Sequence, residues 1–278
     1  MTASALTTKR GLAYTAADNR PPWRRDGLPV VFHHGIGTNR DIWCDWLPLI
    51  ATRHPVVRFD FRGFGASIVP PTDHAWSMGE LIEDALEVAD IAGPGPVHIV
   101  GESMGGTVAL AAALAHPRKF ASVTISNAGY KGQGIGRLPG WRAEIEKDGI
   151  AAWAARMMPL RFVPGTGDPD RLAWFAAEQA KAKPHVVLGL GEVLAQQDLT
   201  DQAPALEPPL LILSPDSSPF VPVRQGAELA ELVPHAELCV FPGARHGLPF
   251  SHAAEAARVT SDFLERVEAG VAGRARYT

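Results

Sequence analysis

Short runs rich in β-branched and other apolar residues alternate along this chain with longer stretches of helical periodicity. The first run, at 28–34, carries Val30, Val31 and Phe32 and closes on Gly35 and Gly37. Others lie at 56–60, 97–101, 121–126, 210–213 and 236–241. Runs this short, bounded by Gly, Pro or polar residues, predict strands buried on both faces. Between them, apolar positions recur every three or four residues at 77–92, at 107–116, at about 223–232 and at 250–268. That spacing predicts helices. Strand and helix in steady turn predict an α/β fold, a mostly parallel central sheet flanked by helices. In such sheets ligands sit beyond the carboxyl ends of the strands.

One stretch breaks the alternation. From 130 to 205 there is no convincing strand, and the residues are rich in Trp, Met, Ala and Gly. Helical spacing over 141–158, 169–182 and a piece around 185–197 predicts a helical cap, inserted after the strand at 121–126. The chain then divides into a core at 1–129 and 206–278 and a cap at 130–205. Extra helices that cover the sheet without touching a ligand are the competing reading.

Composition narrows the function classes. The chain has 278 residues, 46% of them hydrophobic, enough for a sizeable core, and its net charge of -4 gives no basic footprint for nucleic acid or an anionic membrane. Cys44 and Cys239 are far apart and read as reduced thiols. No basic start precedes an apolar segment, and no apolar run reaches the roughly 18 residues that a membrane helix needs. The expectation is a cytoplasmic protein. No His-x-x-x-His or Cys-x-x-Cys pattern and no phosphate-cradling loop is present, so no metal or cofactor is expected.

Gly101-Glu102-Ser103-Met104-Gly105-Gly106 follows one predicted strand and opens a predicted helix. A serine on so sharp a turn needs a strained backbone, and side chains two residues away on either side would clash. Gly101 and Gly105 remove them. The hydroxyl then stands above the sheet with a helix N-terminus beneath it, a place for a nucleophile. A glycine-rich turn that only packs helix on strand would show the same five residues, but the flanks favour Ser103 as nucleophile. Glu102 reads as a structural residue of the turn.

His33-His34-Gly35-Ile36-Gly37 closes the first core strand, and its glycines let backbone amides turn toward Ser103. The amides of Ile36 and Met104 are the candidate oxyanion donors. His34 reads as a loop holder and His33 as core. Asp60 and Arg62 follow the second core strand and read as charges that lock a loop. Near the end, His246 lies on a Gly-flanked loop between the last strand and the last helix, where an imidazole can reach over the serine. His235 and His252 read as surface residues, and His54, His74, His98, His116 and His185 have no motif around them. The loop 214–222 offers one carboxylate, Asp216, in the chain order serine, acid, histidine. The alternative place, at 126–129, holds no acid.

Together these motifs resemble the α/β-hydrolase superfamily over nearly the whole chain. Asp60 to Ser67 (DFRGFGAS) and the GESMGG turn are similar to the branch that contains 3-oxoadipate enol-lactonases and related esterases. Residues 125–128 (ISNA) and 140–145 (GWRAEI) are similar to that branch too. The resemblance implies a Ser-His-Asp triad that cleaves a small ester or lactone by way of an acyl-enzyme, and the residues above supply Ser103, His246 and, by elimination, Asp216. There is a departure: relatives usually carry the acid four residues before the proline that is Pro222 here, and that position holds Ser218. Substrate contacts are expected from Trp141, Arg142, Trp153 and Met157, with Met158, Phe162 and Trp174 as further apolar walls. Arg137, Arg142 and Arg161 are candidates for a substrate carboxylate. Amidases, perhydrolases and hydrolases of C–C bonds in ring-cleavage diketones share such a triad, and a non-catalytic binder on this fold is the reading from another class.

Overall fold

Four strands of the middle of the sheet are buried along almost their whole length. They are β3 (Val30–His33), β5 (Val97–Glu102), β6 (Phe120–Ser126) and β7 (Leu210–Pro215). With β1 (Leu6–Thr7), β2 (Ala13–Ala17), β4 (Val56–Phe59) and β8 (Ala236–Phe241) they form one eight-stranded sheet in the order β1-β2-β4-β3-β5-β6-β7-β8. All pairs from β4 to β8 are parallel, while β1 and β2 add an antiparallel edge. This computed structural model describes residues 6–24, 26–136 and 140–271.

Alternation along the strands feeds two cores. Val31, Ile99, Val123 and Ile212 face one side, where α2 (Met78–Ala92) and α3 (Met104–Ala115) pack. Val30, Phe32, Val100, Leu211 and Leu213 face the other, against α1 (Leu47–Ile50) and α9 (Ala253–Glu268). Residues 104–113 of α3 are buried on every side, which explains a helix of mostly Ala, Gly and Leu with no polar stripe. Ser77 caps α2 by accepting from Glu80 N at 3.2 Å.

Between β6 and β7 stand α4 (Trp141–Arg161), α5 (Pro169–Ala180) and α6 (Pro184–Gln196). Pro169 and Pro184 open their helices, where a missing amide costs nothing. α4 is two pieces, because Gly149 takes φ +80° in its middle. After β7 come α7 (Val223–Leu232) and, beyond β8, the short α8 (Leu248–Ser251). Register places His33 beside Gly101 and Glu102 beside Ser126. The loops that leave β3, β5 and β6 therefore emerge side by side, next to those that leave β7 and β8. Cys44 and Cys239 are not joined in a disulfide. Among the described residues no helix is long and apolar enough to cross a membrane.

Candidate active site

Ser103 is the single residue between the end of β5 and the start of α3, with φ 53° and ψ -123°. A non-glycine residue held there stores about 1–3 kcal/mol of strain. The surroundings impose it: Ser103 N donates to Ser126 O at 2.9 Å, and its own carbonyl accepts from Gly106 N at 2.9 Å. A Cβ on Gly101 would strike the Gly105 carbonyl, and one on Gly105 would strike the carbonyls of His33 and His34. A Cβ on Gly35 would collide with the Glu102 carboxyl and come within 2.8 Å of Ser103 Cβ.

His246 lies in the loop between β8 and α8, 4% exposed, with Nε2 3.0 Å from Ser103 Oγ. Its loop is tied from two sides. Asn127 Nδ2 donates to the His246 carbonyl, and Gly247 N donates to Arg161 O at 2.8 Å. Asn127 takes φ 46°, a conformation Asn tolerates better than most residues. Burial, and after it the charge of Arg161, hold the imidazole well below its ordinary pKa, so it is neutral at pH 7.

Asp216 does not meet His246. Its exposed carboxylate accepts from Gly243 N and from Ser217 Oγ, both at 2.8 Å, and so ties the loop after β7 to the turn after β8. The group at Nδ1 is Ser218 Oγ, 3.2 Å away. The two residues that follow Asp216 carry the chain over the imidazole, and the position the sequence marks as a departure is the one that reaches it.

Beneath the site lies a buried charge pair. Glu102, 3% exposed, has its pKa pushed up to about 7 by burial, against the opposing pull of Arg161 and the hydrogen bond from Asn127 Nδ2 at 3.2 Å. Arg161, at the end of α4 and 2% exposed, donates from Nε to Gln179 Oε1 at 2.7 Å and from Nη2 to Ile36 O at 2.8 Å. Its Nη1 is 3.7 Å from Glu102 Oε1 and has no hydrogen-bond partner among the described residues.

The space above Ser103 is lined by Ile135, Trp141, Met157, Leu194 and Phe220, together with the buried Arg161. It leaves about 20 Å³ in which the centre of a water molecule can sit, room for one water. Trp141 Nε1 is buried with no acceptor among the described residues. Ile36 belongs to the same wall, and Met104 opens α3, where an amide has no carbonyl one turn earlier to bond.

Other residues singled out from the sequence are dispersed. Arg142 is exposed and pairs with Glu146 at 3.3 Å and with Glu192, so it lies outside the pocket. Trp153 is fully buried behind Trp141, ring centres 5.2 Å apart, and supports the wall without forming it. Met158 and Phe162 pack into the core on the α9 side, and Trp174 stacks on Phe250. Arg137 lies outside the described residues.

His34 holds the loop after β3, taking Phe61 N on Nε2 at 2.7 Å, and His33 packs against Phe59 and Phe61. Burial lowers both to about 3, so both rings are neutral. Asp60 and Arg62 lock loops but not with each other. Asp60 accepts from Arg40 N and Ala66 N, and Arg62 grips Asp84 with two hydrogen bonds of 2.7 and 2.6 Å.

Sequence reasoning missed one grouping, since its members are far apart in the chain. His54, His98 and Glu268 offer ligand atoms within 4.8 Å of one another at the amino-terminal end of β5, away from Ser103. Two imidazoles and a carboxylate suit a borderline divalent metal. Each ring also has a protein partner: His54 Nδ1 bonds Leu28 O at 3.0 Å, and His98 bonds Ser122 Oγ at 2.7 Å and Glu268 Oε1 at 3.3 Å.

The chain is 24% identical over 241 residues to 3-oxoadipate enol-lactonase 2 of Acinetobacter baylyi, covering 83% of this chain and 88% of that protein. It is 28% identical over 254 residues to 2-hydroxy-6-oxononadienedioate/2-hydroxy-6-oxononatrienedioate hydrolase 1 of Dechloromonas aromatica, covering 84% and 86%. The crystal structure of an enol-lactonase from Burkholderia xenovorans LB400 shares the fold, with TM-score 0.83 at 21% identity over 94% of this chain and 100% of that one. Residues 29–253 match the family described as the alpha/beta hydrolase fold, and the chain belongs to that family.

Proposed function

We propose that this chain is a serine hydrolase that cleaves a small carboxylic ester or lactone through an acyl-enzyme on Ser103. One observation carries the reading: the 3.0 Å hydrogen bond between Ser103 Oγ and His246 Nε2, made at a backbone held in the left-handed region. Ser103 Oγ attacks the carbonyl carbon while its proton passes to Nε2 of His246. The electron pair of the carbonyl moves onto oxygen, against the amides of Ile36 and Met104. Collapse expels the alcohol, which takes the proton back from Nε2, and water repeats the two steps to release the acid.

Helices α4 to α6 act as a cap in this mechanism. With room for one water above the serine, they must part to admit substrate. Arg161 supports a substrate that carries a carboxylate beside the scissile carbonyl. Its Nη1 makes no hydrogen bond among the described residues, and Glu102, 3.7 Å away with its pKa near 7, offsets its charge only in part. The names of both relatives, an adipate lactonase and a dienedioate hydrolase, describe diacid substrates. C–C bond hydrolysis of a ring-cleavage diketone by the same serine and histidine is the alternative.

A panel of a short-chain p-nitrophenyl ester, a neutral lactone, a carboxylate-bearing lactone and a ring-cleavage diketone separates these. The expected result is turnover of the ester and both lactones, with the carboxylate-bearing lactone preferred and that preference lost in Arg161→Met. Turnover of the diketone alone would replace this reading with the alternative.

A further inference from the structure

Ser218 Oγ is met by three nitrogens. Phe220 N and Val221 N each lie at 3.3 Å with their hydrogens directed at it, and His246 Nδ1 lies at 3.2 Å. A backbone amide can only donate. A hydroxyl has two lone pairs and one hydrogen, so the two amides fill the lone pairs and leave the hydrogen for the third nitrogen. That nitrogen must then be bare. In a neutral imidazole with a bare Nδ1, the proton sits on Nε2. A carboxylate in the same place would have about four lone-pair sites and could take both amides and an Nδ1–H at once. The serine has none to spare.

We infer that Ser218 is a positioning residue that holds resting His246 as the Nε2–H tautomer, donating to Ser103 Oγ instead of accepting from it. The inference rests on the Ser103–His246 pair acting as proposed above. Turnover then waits on a switch. The Ser218 hydroxyl rotates to accept from Nδ1–H and gives up one of its amides. One proton leaves Nε2 and one arrives at Nδ1, both exchanged with water, so the charge of the ring is unchanged. Only then can Nε2 take the proton of Ser103. The site is thereby a restrained general base, slower than its nucleophile geometry alone would suggest.

The test is 15N NMR of the histidine-labelled protein, with the His246 signals identified by their absence in His246→Gln. The expected wild-type spectrum has Nδ1 unprotonated and Nε2 protonated, and Ser218→Asp reverses the two. In the same variant kcat for a p-nitrophenyl ester rises by on the order of 100-fold or more, since the wrong tautomer in a serine triad costs about 10⁴. A wild-type Nδ1 that is already protonated overturns the inference, as does a Ser218→Asp protein with unchanged tautomer and kcat. If that variant fails to fold, the wild-type spectrum decides alone. An Nε2–H spectrum in a protein that turns over no ester, with or without Ser218→Asp, would uphold the tautomer and remove the hydrolase reading instead.

Discussion

Ser218 Oγ and Nδ1 of His246 lie 3.2 Å apart, while Asp216, two residues earlier, turns its carboxylate away to accept from Gly243 N. An acid selected by chain order alone thus serves as a loop tether. Asp216→Asn keeps an acceptor for Gly243 N, so turnover of an ester should stay within about threefold of wild type, and stability should fall by no more than about 1 kcal/mol. Steady-state kinetics check this. A loss of a hundredfold would mean that Asp216 reaches the imidazole during catalysis.

The pH dependence of kcat/KM follows from the surroundings of His246. The base must be neutral to act, and burial together with Arg161 depresses its pKa. Activity should therefore persist as pH falls through about 6.5, the ordinary histidine value, and decline only well below it. Ser218→Asp places a negative charge at Nδ1 and should move that acid limb upward. An acid limb of the wild type at or above 6.5 would contradict the depressed pKa.

Glu102 titrates in the opposite sense for stability. Its carboxyl is raised from 4.5 to about 7 in the folded chain. Between those values the folded state holds a proton that the unfolded chain has released, so stability falls as pH rises across the window. The loss is about 1.4 kcal/mol for each pH unit crossed. Glu102→Gln removes that slope. The Tm of the variant relative to wild type should climb from pH 4.5 to 7 and then level, and a constant difference would show that Glu102 ionises normally.

What the sequence made legible was local. Six core strands could be read from short runs rich in β-branched and other apolar residues because most of their residues are buried. β1 and β2 could not: one has two residues, and the other is Ala-Tyr-Thr-Ala-Ala, with no apolar run. The kink at Gly149 was hidden because one glycine inside a helical pattern is compatible with an unbroken helix. Ser103 and His246 were visible because each is marked by its own flanking glycines. Arg142 and Arg161 looked alike as residues, yet one is solvated and the other is buried under the pocket. Which face of α4 turns inward is decided by packing against its neighbours, beyond the reach of composition. The contact between Ser218 and His246 joins loops 28 residues apart, and only the departure at Ser218 hinted at it.

Covalent labelling with a fluorophosphonate tests the role of Ser103 most directly. Intact-mass and peptide mass spectrometry should find one adduct, on Ser103, absent in Ser103→Ala and retained in Ser217→Ala. An unlabelled wild type, or equal labelling of Ser103→Ala, would contradict the assignment of Ser103 as nucleophile.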